Sequence, residues 1–236
     1  MPQLIGTRSE SSLHRDLKFT YAGLGGQTEV EVAGYVADGV NAAGEYIEVQ
    51  TGNFGALKKK AHELARLGKV RVIYPVIITK YIEVFNIQGK RQYRRKSPKR
   101  GNLWNIFDAL IHAPELPLIR GLSIELVVVD ASEHRVQDGK GARRRRGVSI
   151  KDRTLLTVYE RVLLKKPSDY FRFVPFTPAE LFTSAQLGER AGIGTDRARK
   201  TLYVLSKMGL VHRTGKQGNA LVYRIVTPQK SVKRTK

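Results

Sequence analysis

The chain has 236 residues, enough for two domains that each bury a core. Its 41% hydrophobic content fits a folded chain, and the absence of cysteine excludes a disulfide scaffold, thiolate–zinc sites and cysteine nucleophiles. Lys and Arg number 42 against 21 Asp and Glu, a net charge of +21 that points to a polyanionic partner, above all nucleic acid. No apolar run reaches the roughly 20 residues of a membrane span. Met1-Pro2-Gln3-Leu4 lacks the basic start and apolar stretch of a signal peptide. A cytoplasmic protein is expected.

The sequence divides into an α/β block (1–85), a basic helix and strand extension (86–150), a mostly helical block ending in a strand pair (151–227) and a basic tail (228–236). Ser9 or Ser11 can cap a first helix running to about Ala22, with Leu13, Leu17 and Tyr21 on one face. Three strand signals follow: Gln27 to Ala33, Tyr35 to Val40 and Glu45 to Thr51. Asn53 is the expected cap of a second helix carrying Phe54, Leu57, Ala61, Leu64 and Leu67, closed by Gly68. The nearly continuous apolar run Val70 to Ile78 suits a strand covered on both faces. Leu103 to Ala113 predicts a helix and Ile124 to Asp130 a strand.

Asp152 is read as the cap of a helix carrying Leu155, Leu156, Tyr159, Val162 and Leu163. Thr183 and Gln186 form a capping box at the next helix, which Gly192 ends. Thr195 is expected to cap a third, with Ala198, Leu202, Leu205 and Met208 on one stripe. Val211 to Thr214 and Leu221 to Val226 flank a Gly- and Asn-containing turn, a hairpin signal. Two short helices, a tight Gly-containing turn and a two-stranded ribbon resemble a winged helix-turn-helix domain from Lys151 to Val226. That resemblance implies DNA contact by Arg197, Arg199 and Lys200 on the third helix and by Arg213 and Lys216 near the wing, although some winged helices bind protein instead.

Two acids fall on adjacent predicted strands: Asp38 near the end of the second, and Glu48 on the third. Alternation puts Glu48 and Gln50 on one face of that strand and Ile47 and Val49 on the other. A short hairpin then sets Asp38 and Glu48 side by side, where two carboxylates repel unless they share a hard cation. Other readings stay open: Asp38 as a turn residue, Glu48 in an ion pair with a Lys, Glu10 as a helix-start charge, and Gln50 to Asn53 as strand exit and cap. His62, His112, His134 and His212 show no metal-ligand spacing.

The order helix, three strands, helix, strand over residues 9–78 resembles the core of the PD-(D/E)XK nuclease superfamily. Asp38 matches its aspartate and Glu48-Val49-Gln50 its D/E-x-K tripeptide, with Gln50 where the motif has lysine. The resemblance implies a restriction-endonuclease-like mixed sheet and DNA cleavage with Mg²⁺ or Mn²⁺ held by Asp38 and Glu48. It also implies an acid on the first helix, matched by Glu10 with His14 one turn on. Lys58, first of the Lys58–Lys60 run, is the expected substitute for the missing cation. The basic residues Arg94, Arg95 and Lys96, with Arg143, Arg144, Arg145 and Arg146, would neutralise backbone phosphates of duplex or branched DNA. A homodimer is one expected state, because many nucleases of this fold pair to cut both strands. The rival readings are a non-catalytic DNA-binding regulator and an RNA-binding basic protein.

Overall fold

The computed structural model of the chain describes residues 10–226, the side chain of Arg144 excepted. Ser9 and the basic tail 228–236, both singled out in the sequence, lie outside the described residues. Helix α1 (Ser12–Ala22) starts at Ser11, whose hydroxyl accepts from the His14 amide. Strands β1 (Gln27–Val32), β2 (Tyr35–Val40) and β3 (Tyr46–Val49) form an antiparallel meander. Gly26 is required between α1 and β1, because a Cβ there would lie 2.1 Å from the Ala22 carbonyl oxygen and 2.6 Å from that of Val40.

Helix α2 (Leu57–Leu67) carries the chain to β4 (Val70–Phe85), which lies parallel to β3. Asn53 does not cap α2: its carboxamide accepts from the Gly55 amide two residues on, a local turn that delays the helix to Leu57. Strand β5 (Arg91–Lys96) pairs back on the far half of β4. Helix α3 (Asn105–Leu110) crosses to β6 (Leu122–Gln137), parallel to β4, and β7 (Val148–Leu164) lies antiparallel to β6. The order of this mixed sheet is β1-β2-β3-β4-β6-β7, with β5 on β4. The α/β block, the basic extension and the start of the third block therefore share one sheet.

Residues 155–163, expected as a helix from their apolar spacing, are strand. Thr154, Thr157, Val158, Tyr159 and Val162 are β-branched or aromatic, and all but Tyr159, which sits at a bulge, pair with β6. The apolar spacing fits either state, so the sheet partner decides. Asp152 then caps a different helix: it accepts from the amide and the hydroxyl of Ser12, at 2.8 and 2.6 Å, at the start of α1.

Each face of the sheet has its own core. On one, Leu13 and Leu17 of α1 pack on Ile47, Val49, Ile73, Val127, Val129 and Ala131. On the other, Leu57, Ala61 and Leu64 of α2 pack on Val70, Val72 and Val76, a layer that continues through Phe107, Phe173 and Phe182. Burial of β4 on both faces explains its unbroken apolar run. The C-terminal part follows: β8 (Phe182–Thr183), α4 (Ser184–Ala191), α5 (Thr195–Lys207), β9 (Val211–Gln217) and β10 (Ala220–Ile225). Its three strands lie in the order β8-β10-β9. The Thr183–Gln186 capping box forms, whereas α5 is capped at Gly194 and Thr195 is its first residue. No helix among the described residues is long and apolar enough to cross a membrane.

Helix α1 is tied down at both ends, by Asp152 and by a 2.6 Å hydrogen bond from the Tyr21 hydroxyl to Glu125 of β6. Substitution Asp152→Ala leaves the Ser12 amide and hydroxyl without these acceptors. A loss of about 1–3 kcal/mol is expected, read as a lower urea midpoint with an unchanged slope. An unchanged midpoint would refute the tether.

Candidate functional site

The β1–β2–β3 meander opens around Asp38. The β1–β2 ladder pairs Thr28 with Gly39 and Val30 with Ala37 but skips Glu29 opposite Asp38. Glu29 has φ of +56°, a left-handed backbone that a non-glycine residue adopts only at a cost of about 1–3 kcal/mol. On the other side the β2–β3 ladder runs Val40–Tyr46 and Gly39–Ile47, then stops. The next opposed pair is Asp38 and Glu48.

Side chains replace the missing backbone bonds. Asp38 Oδ2 accepts from the Val49 amide at 2.8 Å, and Glu48 Oε1 accepts from the Asp38 amide at 3.3 Å. Strand amides point along the sheet plane, so both carboxylates lie in the gap between the strands rather than standing on one face. Each is also held by a basic side chain. His14 Nε2 of α1 lies 3.1 Å from Asp38 Oδ2, and Lys60 Nζ of α2 lies 2.6 Å from both Glu48 oxygens.

The helices set those two side chains. His14 follows Leu13 on α1, and its Nδ1 lies 3.1 Å from Glu10 Oε1. His14 thus lies between two carboxylates, with a hydrogen bond to Asp38. Glu10 is held in turn by Lys18, which is 4% exposed and bridges it to Glu29, at 3.1 and 3.0 Å. On α2, Lys60 is three residues after Leu57, four before Leu64 and adjacent to Ala61, so it belongs to the inward stripe. Lys58 lies off it and pairs with Glu115, which corrects the expectation that Lys58 supplies the site's cation. The sequence signal for Lys60 was present in the apolar stripe of α2.

Burial, and then the Asp38 charge, push the Glu48 carboxyl up to about 7 against the pull of Lys60. Burial also opposes the charge on Asp38, but the hydrogen bonds from His14 and the Val49 amide, with the His14 and Lys60 charges, hold its carboxyl below the ordinary aspartate value. Two neighbouring acids are thus pushed apart in pKa. Gln50 continues β3, its amide donating to the Ile73 carbonyl, and its side chain is half-buried. Among the described residues no group of three or more His, Asp or Glu is arranged to hold a metal ion alone. Asp38 and Glu48 therefore constitute at most a two-carboxylate set.

The expected DNA-contacting residues divide. Arg94, Arg95 and Lys96 are exposed on β5, Arg94 stacking over Tyr81. Arg143 and Arg146 are exposed, and Arg145 donates to the Val148 carbonyl. The Arg144 side chain lies outside the described residues. Arg199, Arg213 and Lys216 are exposed. Arg197 and Lys200 instead turn inward and bind Asp108 of α3, at 3.1 Å each, docking α5 against the main sheet's helical layer.

A family model described as "Domain of unknown function (DUF8091)" matches residues 11–165, a span that includes α1, the whole main sheet and the Asp38–Glu48 pair. The chain is 31% identical over 224 residues to an "Uncharacterized protein" of Treponema pallidum (strain Nichols), covering 95% of this chain and 88% of that one. No solved structure matches.

The raised Glu48 value carries a sign. As pH rises from about 4.5 through about 7, the unfolded chain releases this proton before the folded one, so the contribution of Glu48 to stability falls across that window. The melting temperature of the native protein relative to Glu48→Gln is therefore expected to drop over this range. Parallel melting curves would show that Glu48 titrates normally.

Proposed function

The chain belongs to the DUF8091 family, and we propose that it is a metal-dependent nuclease of PD-(D/E)XK type that acts on DNA. The observation that carries this reading is the opened ladder, which presents Asp38 and Glu48 on opposed strands with Lys60 against Glu48. The meander, the parallel β3–β4 crossover through α2 and the parallel β6 support the same fold family. The unit β8–α4–α5–β9–β10 supports a winged helix, with Arg199, Arg213 and Lys216 available to duplex or branched DNA and Arg197 and Lys200 engaged in docking.

The donor set fits a magnesium-like cation. Asp38 Oδ1 carries no hydrogen bond among the described residues and its side chain is 22% exposed, while both oxygens of the buried Glu48 carboxylate lie against Lys60, which would yield Glu48 to the ion. Two carboxylates, waters and phosphate oxygens are a common shell for this ion. Mg²⁺ or Mn²⁺ held there would polarise the phosphodiester and lower the pKa of the attacking water. The protein's own groups do the rest. His14, backed by Glu10, fixes the orientation of Asp38. Lys60 shifts from Glu48 towards the developing negative charge, the part lysine plays in the motif, and the Gln50 side-chain carboxamide orients water.

A second reading rests on one observation. Lys60 already neutralises Glu48 at both oxygens, as befits a nuclease-like domain that binds DNA without cutting it.

The test is cleavage of plasmid, branched DNA, single strands and RNA with Mg²⁺ or Mn²⁺. Asp38→Ala, Glu48→Ala and Lys60→Ala are expected to lose about 10²–10⁴-fold in rate, and Lys58→Ala little. Undiminished cutting by Asp38→Ala rejects the site. Metal-independent binding to DNA with no cutting favours the second reading, and a preference for RNA favours an RNA-binding protein.

A further inference from the structure

Beyond the core, the far half of β4, β5, the far half of β6 and the near half of β7 extend the sheet into a basic arm. A cavity of about 330 Å³ lies on this arm. Its wall carries the cations Lys80, Arg95, Lys99, Arg135, Arg145 and Arg153 with one carboxylate, Glu133.

Glu133 is 1% exposed and organises half of those cations. Its Oε1 accepts from Arg135 Nε and Nη2 at 2.8 and 2.5 Å, and its Oε2 accepts from Arg153 at 3.0 Å and Lys80 at 3.3 Å. Burial opposes its charge, but the hydrogen bonds from Arg135 and Arg153 and the Lys80 charge hold its carboxyl at about 2. The acid therefore stays ionised and fixes three cations at set positions. Six cations against one carboxylate leave a strong positive excess in a concave site, which favours a multiply charged anion. Lys80 and Lys99 also line an adjoining cavity of about 460 Å³ that reaches Thr51, directly after Gln50, and is bordered by Arg100. The positive wall thus runs from the end of β3 out along the arm.

We infer that the arm cavity is a phosphate-binding site gripping a nucleic-acid strand that leads to the Asp38–Glu48 gap, with Glu133 as the positioning residue for Lys80, Arg135 and Arg153. The inference rests on the nucleic-acid half of the proposed function and not on cleavage. The bound phosphate belongs to the internal backbone or to a strand end, and one experiment separates these sources.

Binding of a fluorescein-labelled duplex is measured by anisotropy in EDTA across about 50 to 200 mM KCl, with the duplex 5′-phosphorylated or 5′-hydroxyl. Arg153→Ala and Lys99→Ala are each expected to weaken binding about tenfold and to lower the salt slope by about 1. Arg66→Ala, which removes one charge at a 78% exposed position of α2, is the control and is expected to change neither. Lys99 makes no bond to Glu133, so its variant probes the cavity without loosening the arm. Tighter binding of the phosphorylated duplex, lost in both variants, identifies an end phosphate. Equal binding of the two duplexes, weakened alike by both variants, identifies a backbone phosphate. Unchanged affinity and slope in both variants overturn the inference, even if the protein cuts DNA. Weakened binding without any cutting upholds it while the nuclease reading falls.

Discussion

The candidate site depends on the parting of the meander around Asp38. In a regular antiparallel sheet the strand amides are consumed by the neighbouring carbonyls. Here the ladder stops after Gly39–Ile47 on one side and skips Glu29 on the other, and carboxylates fill the gap. The left-handed backbone at Glu29 is the strained element of this opening, and strain of that kind persists only where the surroundings impose it. They do so here through Lys18, which ties Glu29 to Glu10 from a buried position on α1.

From that opening the roles of the two helices follow. Helix α1 lies on one core face and delivers His14 to Asp38; α2 lies on the other and delivers Lys60 to Glu48. The gap is therefore gripped from both sides of the sheet. Burial and the Asp38 charge raise Glu48, while the hydrogen bonds from His14 and the Val49 amide hold Asp38 down, so the two acids part in pKa, as acid–base pairs at reactive centres do. Asp138 and Glu180 stand in contrast: Asp138 is lowered by hydrogen bonds from Lys151 and Ser149, and Glu180 by the Thr177 amide and then Arg190.

Charge is distributed unequally over the rest of the molecule. The net excess of +21 is not a uniform coat. Part of it is spent on structure, as where Arg197 and Lys200 clamp Asp108 and Arg71 joins Glu45 to Glu125. Another part gathers on the arm built by the long strands β4, β6 and β7, where a buried acid preorganises cations rather than cancelling them.

The sequence by itself determined the elements whose apolar spacing admits one reading: α1, α2, the meander, the doubly covered β4 and the helix pair with its ribbon. It also placed Asp38 and Glu48 on adjacent strands, because strand order and hairpin length are local properties. Tertiary structure decided what local spacing leaves open. Residues 155–163 carry a pattern that serves helix or strand, and only the long edge of β6 made them β7. The α2 stripe turns Lys60 inward, but that it meets Glu48, while Lys58 meets Glu115, depended on how α2 lies on the sheet. The Glu29 conformation and the cations around Glu133 join residues from separate strands, and no spacing along one segment encodes such a meeting.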